Sequence, residues 1–355
     1  MAPRQTVALL FGGRSGEHEV SVRSAVSVAA GLAVRHRVLP VLLDKRGGWL
    51  LQDGAEPRPT GGRPVFLTPS PGDRGRLRLL SDASLAAEPD VYFPVLHGTF
   101  GEDGTVQGLL ELAAVPYVGS GVAASAAAMD KEMMKALFAQ AGVPQGRYRV
   151  LRGRDRAAEE AAVLALGLPL FVKPANLGSS VAVSKVKRAA ELAPALDLAL
   201  AYDRKAVLEA AIDAREIEVS VLGNEAPEAS LPGEILPDGE FYDYDSKYSP
   251  DSKTELRIPA PLDAATTSRL QELAIGAFRA VDASGYARVD FFLGRTTGEV
   301  LVNEINTIPG FTSISMFPKL WAATGLPYDA LLDRLVALGL ARQLARDRLR
   351  TDFRA

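Results

Sequence analysis

The stretch that most restricts how this chain can fold stands at its start. Thr6-Val7-Ala8-Leu9-Leu10-Phe11 is an unbroken apolar run that closes on Gly12-Gly13. Apolar on both faces, it predicts a buried strand of a parallel sheet. Alanine and valine at helical spacing over 21–34 and a second strand-like run over 36–43 follow. The segment therefore reads as strand, helix and parallel strand, which puts it in the α/β class. The stretch 47–89, rich in Gly, Pro, Arg and Asp, predicts hairpins and loops. A strand over 91–96 then leads through His97-Gly98-Thr99-Phe100-Gly101-Glu102-Asp103-Gly104 into a helix over 105–112. A glycine-dense loop ahead of a helix presents free backbone N–H groups to an anion.

At 355 residues the chain is longer than one compact domain, and about 150 residues per domain predicts two or three. Gly119-Ser120-Gly121 suggests a first boundary, giving an N-terminal α/β unit over 1–120. Helices over 130–141, 156–166 and 189–202 and strands over 170–173, 182–185 and 205–209 make an α+β middle unit, 121–213. The last unit, 214–355, carries strands over 216–222, 287–293 and 300–304, a long helix over 263–281, and a polar loop, 237–259, that reads as a lid. The uncharged stretch 112–129 is broken by Pro116, Gly119, Ser120 and Gly121. It reads as a turn between elements, since a spanning helix needs about 20 apolar residues.

Composition narrows the chemistry. An apolar share of 47% and a charged share of 23% are those of a globular chain. Forty Lys and Arg against 43 Asp and Glu leave a net charge of −3, which offers nucleic acid no basic footprint. Without cysteine there is no disulfide scaffold, thiolate nucleophile or Cys-ligated metal, and three histidines (His18, His36, His97) leave no room for a His-rich zinc site. The first residues lack a secretory apolar region, which predicts a cytoplasmic protein with no membrane partner. The arginine-rich tail over 342–354 interleaves Asp347 and Asp352 and reads as a solvated helix end.

Four groups of residues can carry chemistry. In a strand, residues i and i+2 face the same side, so Arg288 pairs with Asp290 on one face, and Glu304 with Asn306 on another. If those strands are neighbours, two carboxylates, an amide oxygen and a guanidinium converge. Such hard oxygen donors suit Mg²⁺ beside phosphate, although a surface salt-bridge ladder would use the same residues; Pro309-Gly310-Phe311-Thr312-Ser313 adds backbone donors. Lys173, at a strand end, precedes the small-residue loop Gly178-Ser179-Ser180, which can close over a phosphate or be an ordinary turn; Lys131 opens a helix. No Walker A spacing occurs, and Gly12-Gly13-Arg14-Ser15-Gly16 does not match a dinucleotide fingerprint, which removes a nicotinamide oxidoreductase. Phe241-Tyr242-Asp243-Tyr244-Asp245-Ser246-Lys247-Tyr248 has the composition of a lid or of surface decoration. Glu17-His18-Glu19 could cap a helix or touch a ligand.

In order along the chain, several blocks resemble the D-alanine–D-alanine ligase family of the ATP-grasp superfamily. They run from Phe11-Gly12-Gly13-Arg14-Ser15-Gly16-Glu17 through Leu96-His97-Gly98, Met129-Asp130-Lys131, Val172-Lys173-Pro174, Gly178-Ser179-Ser180, Phe241 to Tyr248 and Arg288-Val289-Asp290 to Gly310-Phe311-Thr312-Ser313-Ile314-Ser315. The resemblance implies a three-domain ATP-grasp fold with an N-terminal pre-grasp domain. ATP would phosphorylate one D-alanine and a second would attack the D-alanyl phosphate, making D-alanyl-D-alanine for peptidoglycan. It also implies ATP, two Mg²⁺ or Mn²⁺, a monovalent cation as a further activator, and a homodimer. By the same resemblance, Lys131, Lys173 and Lys247 serve the phosphates, and Glu209, Ile212, Glu216 and Phe241 the adenosine. Asp290, Glu304 and Asn306 serve the metals, and Arg288 with the Gly310 N–H the oxyanion. Glu17 and His97 lie at the first D-alanine, Ser315 at the second, and Ser179 with Tyr248 ties down the lid. Where the family often shows a basic and an aromatic residue after Glu209, Ala210-Ala211 stand here, which affects adenine binding. A D-alanine–D-lactate ligase and a nucleotide-binding regulator without catalysis are the alternatives; Tyr248 favours the dipeptide product.

Overall fold

The computed structural model describes residues 4–178, 181–236, 254–312 and 315–350. Ser179, Phe241, Lys247 and Tyr248 lie outside the described residues, as does most of the expected lid.

Three sheets organise the chain. The first has seven strands: β1 (Thr6–Gly12), β2 (Arg37–Leu43), β3 (Trp49–Leu51), β4 (Arg63–Leu67), β5 (Leu77–Leu79), β6 (Leu85–Ala87) and β7 (Val91–Pro94). β1 runs parallel to both β2 and β7, and the short strands β3 to β6 extend the sheet antiparallel. The apolar run of β1 is explained by its two faces. Val7, Leu9 and Phe11 enter one core with helix α1 (His18–Ala33), and Ala8 and Leu10 enter another with helix α2 (Thr105–Leu112).

The 112–129 stretch is a correction: it contains a helix, α3 (Val122–Met129), rather than only a turn. Its Val-Ala-Ala-Ser-Ala-Ala-Ala-Met sequence has the strongest helix former at five of eight positions. A turn at Asp130 leads into α4 (Lys131–Gln140), and the Asp130 carboxylate caps it by accepting from the Glu132 and Met133 N–H groups.

The second sheet is small, antiparallel and ordered β10-β9-β11-β8, with β8 (Tyr148–Leu151), β9 (Leu170–Pro174), β10 (Ser184–Val186) and β11 (Ala206–Ala210). Helices α5 (Arg156–Leu166) and α6 (Leu192–Tyr202) bury Ala162, Leu166, Leu192 and Leu196 against it. The third sheet joins β12 (Ala214–Gly223), β13 (Glu228–Ala229), β14 (Gly233–Leu236), β15 (Glu255–Arg257), β16 (Gly285–Gly294) and β17 (Val300–Asn306). Helix α7 (Ala264–Ala280) covers it, and α4 packs there too: Met134 and Phe138 share a core with Ile217, Val289, Phe291, Leu270 and Phe278. The last helices, α8 (Met316–Ala323) and α9 (Tyr328–Arg346), return to the first sheet, where Phe317, Trp321, Leu331 and Leu335 pack with Val7 and Phe93. No helix among the described residues is long and apolar enough to cross a membrane.

Candidate active site

The third sheet supplies the floor of the site. Its ladder sets Glu218 on β12 opposite Asp290 on β16, and Asp290 opposite Glu304 on β17; two residues along, Ser220, Arg288 and Asn306 align. Val219, Val289 and Ile305 point the other way into the core, so the polar set lies on the opposite face of the sheet. Carboxylates side by side on adjacent strands repel, and Arg288 offsets this. Its Nε and Nη2 donate to the two Asp290 oxygens at 2.6 and 2.7 Å, and Nε lies 3.0 Å from Glu218 Oε2. Burial opposes the guanidinium charge, but Asp290 and Glu218 outweigh it and hold the proton affinity well above the usual arginine value. Asn306 Nδ2 donates to Asp290 Oδ2 at 3.1 Å. The salt-bridge ladder expected as the alternative is thus present, and it is half-buried in the cleft rather than on the open surface.

A β-bulge interrupts the β16–β17 ladder beside Asp290. Without it Asn303 and Glu304 would face opposite sides; both line the same cleft.

That cleft, a cavity of about 690 Å³, lies between the small sheet and the large one. Lys131, Lys173, Glu209, Ile212 and Glu216 line it, with Arg288, Asp290 and Glu304 on its floor. Lys131 is fixed at both ends: its N–H donates to the Ala175 carbonyl at 3.0 Å and its Nζ to the Leu177 carbonyl at 2.6 Å. Burial lowers its proton affinity, partly offset by Glu304. Lys173 on β9 pairs with Glu209 on β11, and Glu209 also meets Lys135 Nζ at 2.8 Å. Burial alone would raise the Glu209 carboxyl, but Lys173 and Lys135 overcome it and hold it far below the usual carboxylate range. Ala210 and Ala211, the departure noted in the sequence, border the cavity beside Ile212.

A smaller cavity of about 120 Å³ adjoins the first. It collects Glu17, His97, Gly310 and Ser315 with Asn306, and it shares Arg288 and Glu304 with the larger one. Glu17 occupies the residue before α1 but makes no capping hydrogen bond, so the capping role is not the one its side chain takes. It turns toward Gly98, where a Cβ would lie 2.8 Å from Glu17 Oε2 and where φ is +79°; only glycine suits such a place. His97 is buried, with Nδ1 3.0 Å from the Ile308 carbonyl and Nε2 3.0 Å from Ser24 Oγ. Burial depresses its proton affinity despite Glu17. A neutral ring with its hydrogen on Nδ1 satisfies both contacts. Ser315 precedes α8 without capping it; its Oγ accepts from the Thr312 N–H at 3.0 Å. A Cβ at Gly310 would stand 2.7 Å from that Oγ.

All predicted site residues that are described therefore gather in two joined cavities. Three side chains in or directly behind these cavities were not singled out from sequence. Glu218 follows Glu216 by two in a strand, and Lys135 follows Lys131 by four in a helix; both spacings were available signals. Glu102, inside the glycine-dense loop, is half-buried in the smaller cavity, where desolvation and then Glu17 push its carboxyl well above the usual range; its Oε1 accepts from the Gly98 N–H at 2.7 Å.

Asp290, Glu304 and Asn306 offer only hard oxygen donors, the chemistry Mg²⁺ or Mn²⁺ accepts. Among the described residues no three His, Asp or Glu side chains gather in a metal-binding group. The oxygen donors the cleft offers an ion at this place are two carboxylates and an amide, those of Asp290, Glu304 and Asn306.

Known proteins place this geometry in context. Residues 6–120 match the family model described as D-ala D-ala ligase N-terminus, and residues 137–337 match D-ala D-ala ligase C-terminus. The D-alanine–D-alanine ligase of Heliobacterium modesticaldum is 52% identical, over 98% of this chain and 98% of its own. Among solved structures, the D-alanine–D-alanine ligase from Coxiella burnetii superposes with a TM-score of 0.86 at 37% identity, covering 98% of this chain and 97% of that one. The VanG D-Ala:D-Ser ligase from Enterococcus faecalis gives 0.82 at 33% identity, covering 95% and 99%. With both family models and relatives along nearly its whole length, and the ATP-grasp architecture they share, the chain belongs to the D-alanine–D-alanine ligase family.

Proposed function

We propose that this protein joins two D-alanines at the expense of ATP, releasing ADP and phosphate. The observation that carries this reading is the meeting of the two cavities at Arg288 and Glu304. A large cleft with lysines and a small one with Glu17 and Ser315 share one wall, where a phosphoryl group can pass between them.

In this reading the γ-phosphoryl leaves ADP and bonds to a carboxylate oxygen of the first D-alanine. The amine of the second, already neutral, bonds to the acyl carbon, the C–O bond to phosphate breaks, and the departing phosphate carries off the amine's second proton. Lys131 and Lys173 offset the charge of the approaching phosphates, with Lys247 added by resemblance. Asp290, Glu304 and Asn306 would hold two Mg²⁺, which when bound neutralise phosphate charge as the group transfers. Glu17 pairs with the ammonium of the first D-alanine, and Ser315 receives the carboxylate of the second beside the uncapped start of α8. Arg288 and the Gly310 N–H face the oxyanion that forms as the amine attacks. His97, with both nitrogens engaged, orients this wall and takes no proton. Glu209, Ile212, Glu216 and Phe241 hold the adenosine, and Ser179 with Tyr248 closes the lid. The units divide near 120 and 213, and the protein works as a cytoplasmic homodimer.

The test is phosphate release by the purified protein with ATP and Mg²⁺. Release that requires D-alanine, fails with L-alanine and yields the dipeptide supports the reading; release indifferent to D-alanine, or without dipeptide, refutes it. D-lactate and D-serine offered as second substrates settle the acceptor.

A further inference from the structure

Resting on the nucleotide reading of the large cleft, we propose that Lys135 is a positioning residue that holds Glu209 so that Lys173 is free to pass to the phosphates. Lys135 sits one helical turn after Lys131 on α4, and its side chain is 3% exposed. Its Nζ is 2.8 Å from Glu209 Oε1 and 5.3 Å from the Tyr148 ring centre. The other Glu209 oxygen, Oε2, is held by Lys173. Lys173 and Glu209 line the cleft and Lys135 does not. One carboxylate thus serves two ammonium groups, of which only one can reach a ligand.

The arrangement has a consequence for binding. A buried carboxylate that loses its sole cation is strongly disfavoured. With Lys135 in place, Lys173 can exchange Glu209 for a phosphate oxygen, and Glu209 keeps a partner. Without Lys135 the same exchange strands Glu209 in a buried site, so Lys173 stays where it is and phosphate affinity falls. The α4 helix contributes by packing on the large sheet through Met134 and Phe138. It therefore carries its lysines across to the small sheet from a fixed base.

Lys135→Met should raise the ATP KM and the ADP Kd about tenfold or more, while kcat and the D-alanine KM move about threefold or less. Lys135→Arg should recover most of the ADP affinity. Because Lys135 acts through Glu209, adding Lys135→Met to Glu209→Gln should weaken ADP binding no further than Glu209→Gln alone. Calorimetric titration with ADP and melting curves on each variant read the outcome. A Lys135→Met protein with a lowered Tm but unchanged ADP Kd overturns the proposal. So does a double variant clearly weaker than Glu209→Gln, a comparison that stands even if Lys135→Met alone does not fold. Lys173→Met separates the two levels. If it leaves ADP binding intact, the nucleotide reading fails; if it weakens ADP and Lys135→Met does not, only the role of Lys135 fails.

Discussion

Replacing Asp130 by alanine removes two supports of the turn that presents Lys131. Asp130 Oδ1 accepts from the Glu132 and Met133 N–H groups at 3.1 and 3.2 Å, capping α4, and both carboxylate oxygens bond Lys205 Nζ, at 2.7 and 2.5 Å. Loss of a helix cap costs about 1 kcal/mol. Lys205 is 2% exposed, and removing one member of a buried pair costs about 3–5 kcal/mol when the other is left alone. Here Glu132 Oε2 stays 2.9 Å from Lys205, which brings that part down to about 2 kcal/mol. The sum for Asp130→Ala is about 3 kcal/mol. Lys205→Met should cost less, because Asp130 keeps its capping bonds and Glu132 keeps Arg152 at 2.6 Å. Urea denaturation of the two variants at pH 7 checks the order. A loss below about 1 kcal/mol for Asp130→Ala, or a larger one for Lys205→Met, would refute the reasoning. Burial works against the Asp130 charge, but the Lys205 bond prevails and its carboxyl is held below the ordinary value. Its contribution is therefore complete above the unfolded value, about 3.9, and fades as pH falls through the lower folded one. The gap between wild type and Asp130→Asn should narrow below about pH 4.

Arg288→Ala should lower kcat about 10²–10³-fold while ADP affinity changes severalfold at most, as steady-state kinetics beside ADP titration will show; a variant with normal turnover removes Arg288 from the chemistry. Gly310→Ala sets a Cβ 2.7 Å from Ser315 Oγ, so the KM for the second D-alanine should rise with the ATP KM unmoved, and an unaltered acceptor KM would count against Ser315. Chelation of divalent ions should abolish turnover, with Mg²⁺ or Mn²⁺ restoring it; persistent activity in excess chelator would sink the oxygen-donor site.

Local signals carried far in this chain. The apolar run at residues 6–11 became a strand buried on both sides, and the two-residue spacings at 288, 290, 304 and 306 became neighbouring pairs in one ladder. What no window of sequence holds is which distant partner each group meets. Arg288 is balanced by Glu218, 70 positions upstream, and His97 is tied to Ile308. α3 went unread because its alanines also fit a loop of small residues, and burial against the large sheet decided between them. The bulge beside Asp290 was illegible for a related reason: an extra residue in a ladder shows only against the opposing strand. β8, β14 and β15 are three or four residues each and owe their extension to the strands beside them.

Two chambers with a common partition leave little latitude for escape from a drug. Arg288 and Glu304 each border both spaces, so on the proposed reading a substitution at either that loosened an inhibitor would injure both halves of the reaction at once. The rim at Ala210 and Ala211 has no side-chain role in that reading, and compounds leaning on it should be evaded first. A molecule bridging the partition and gripping those two side chains meets the part of the protein least able to mutate.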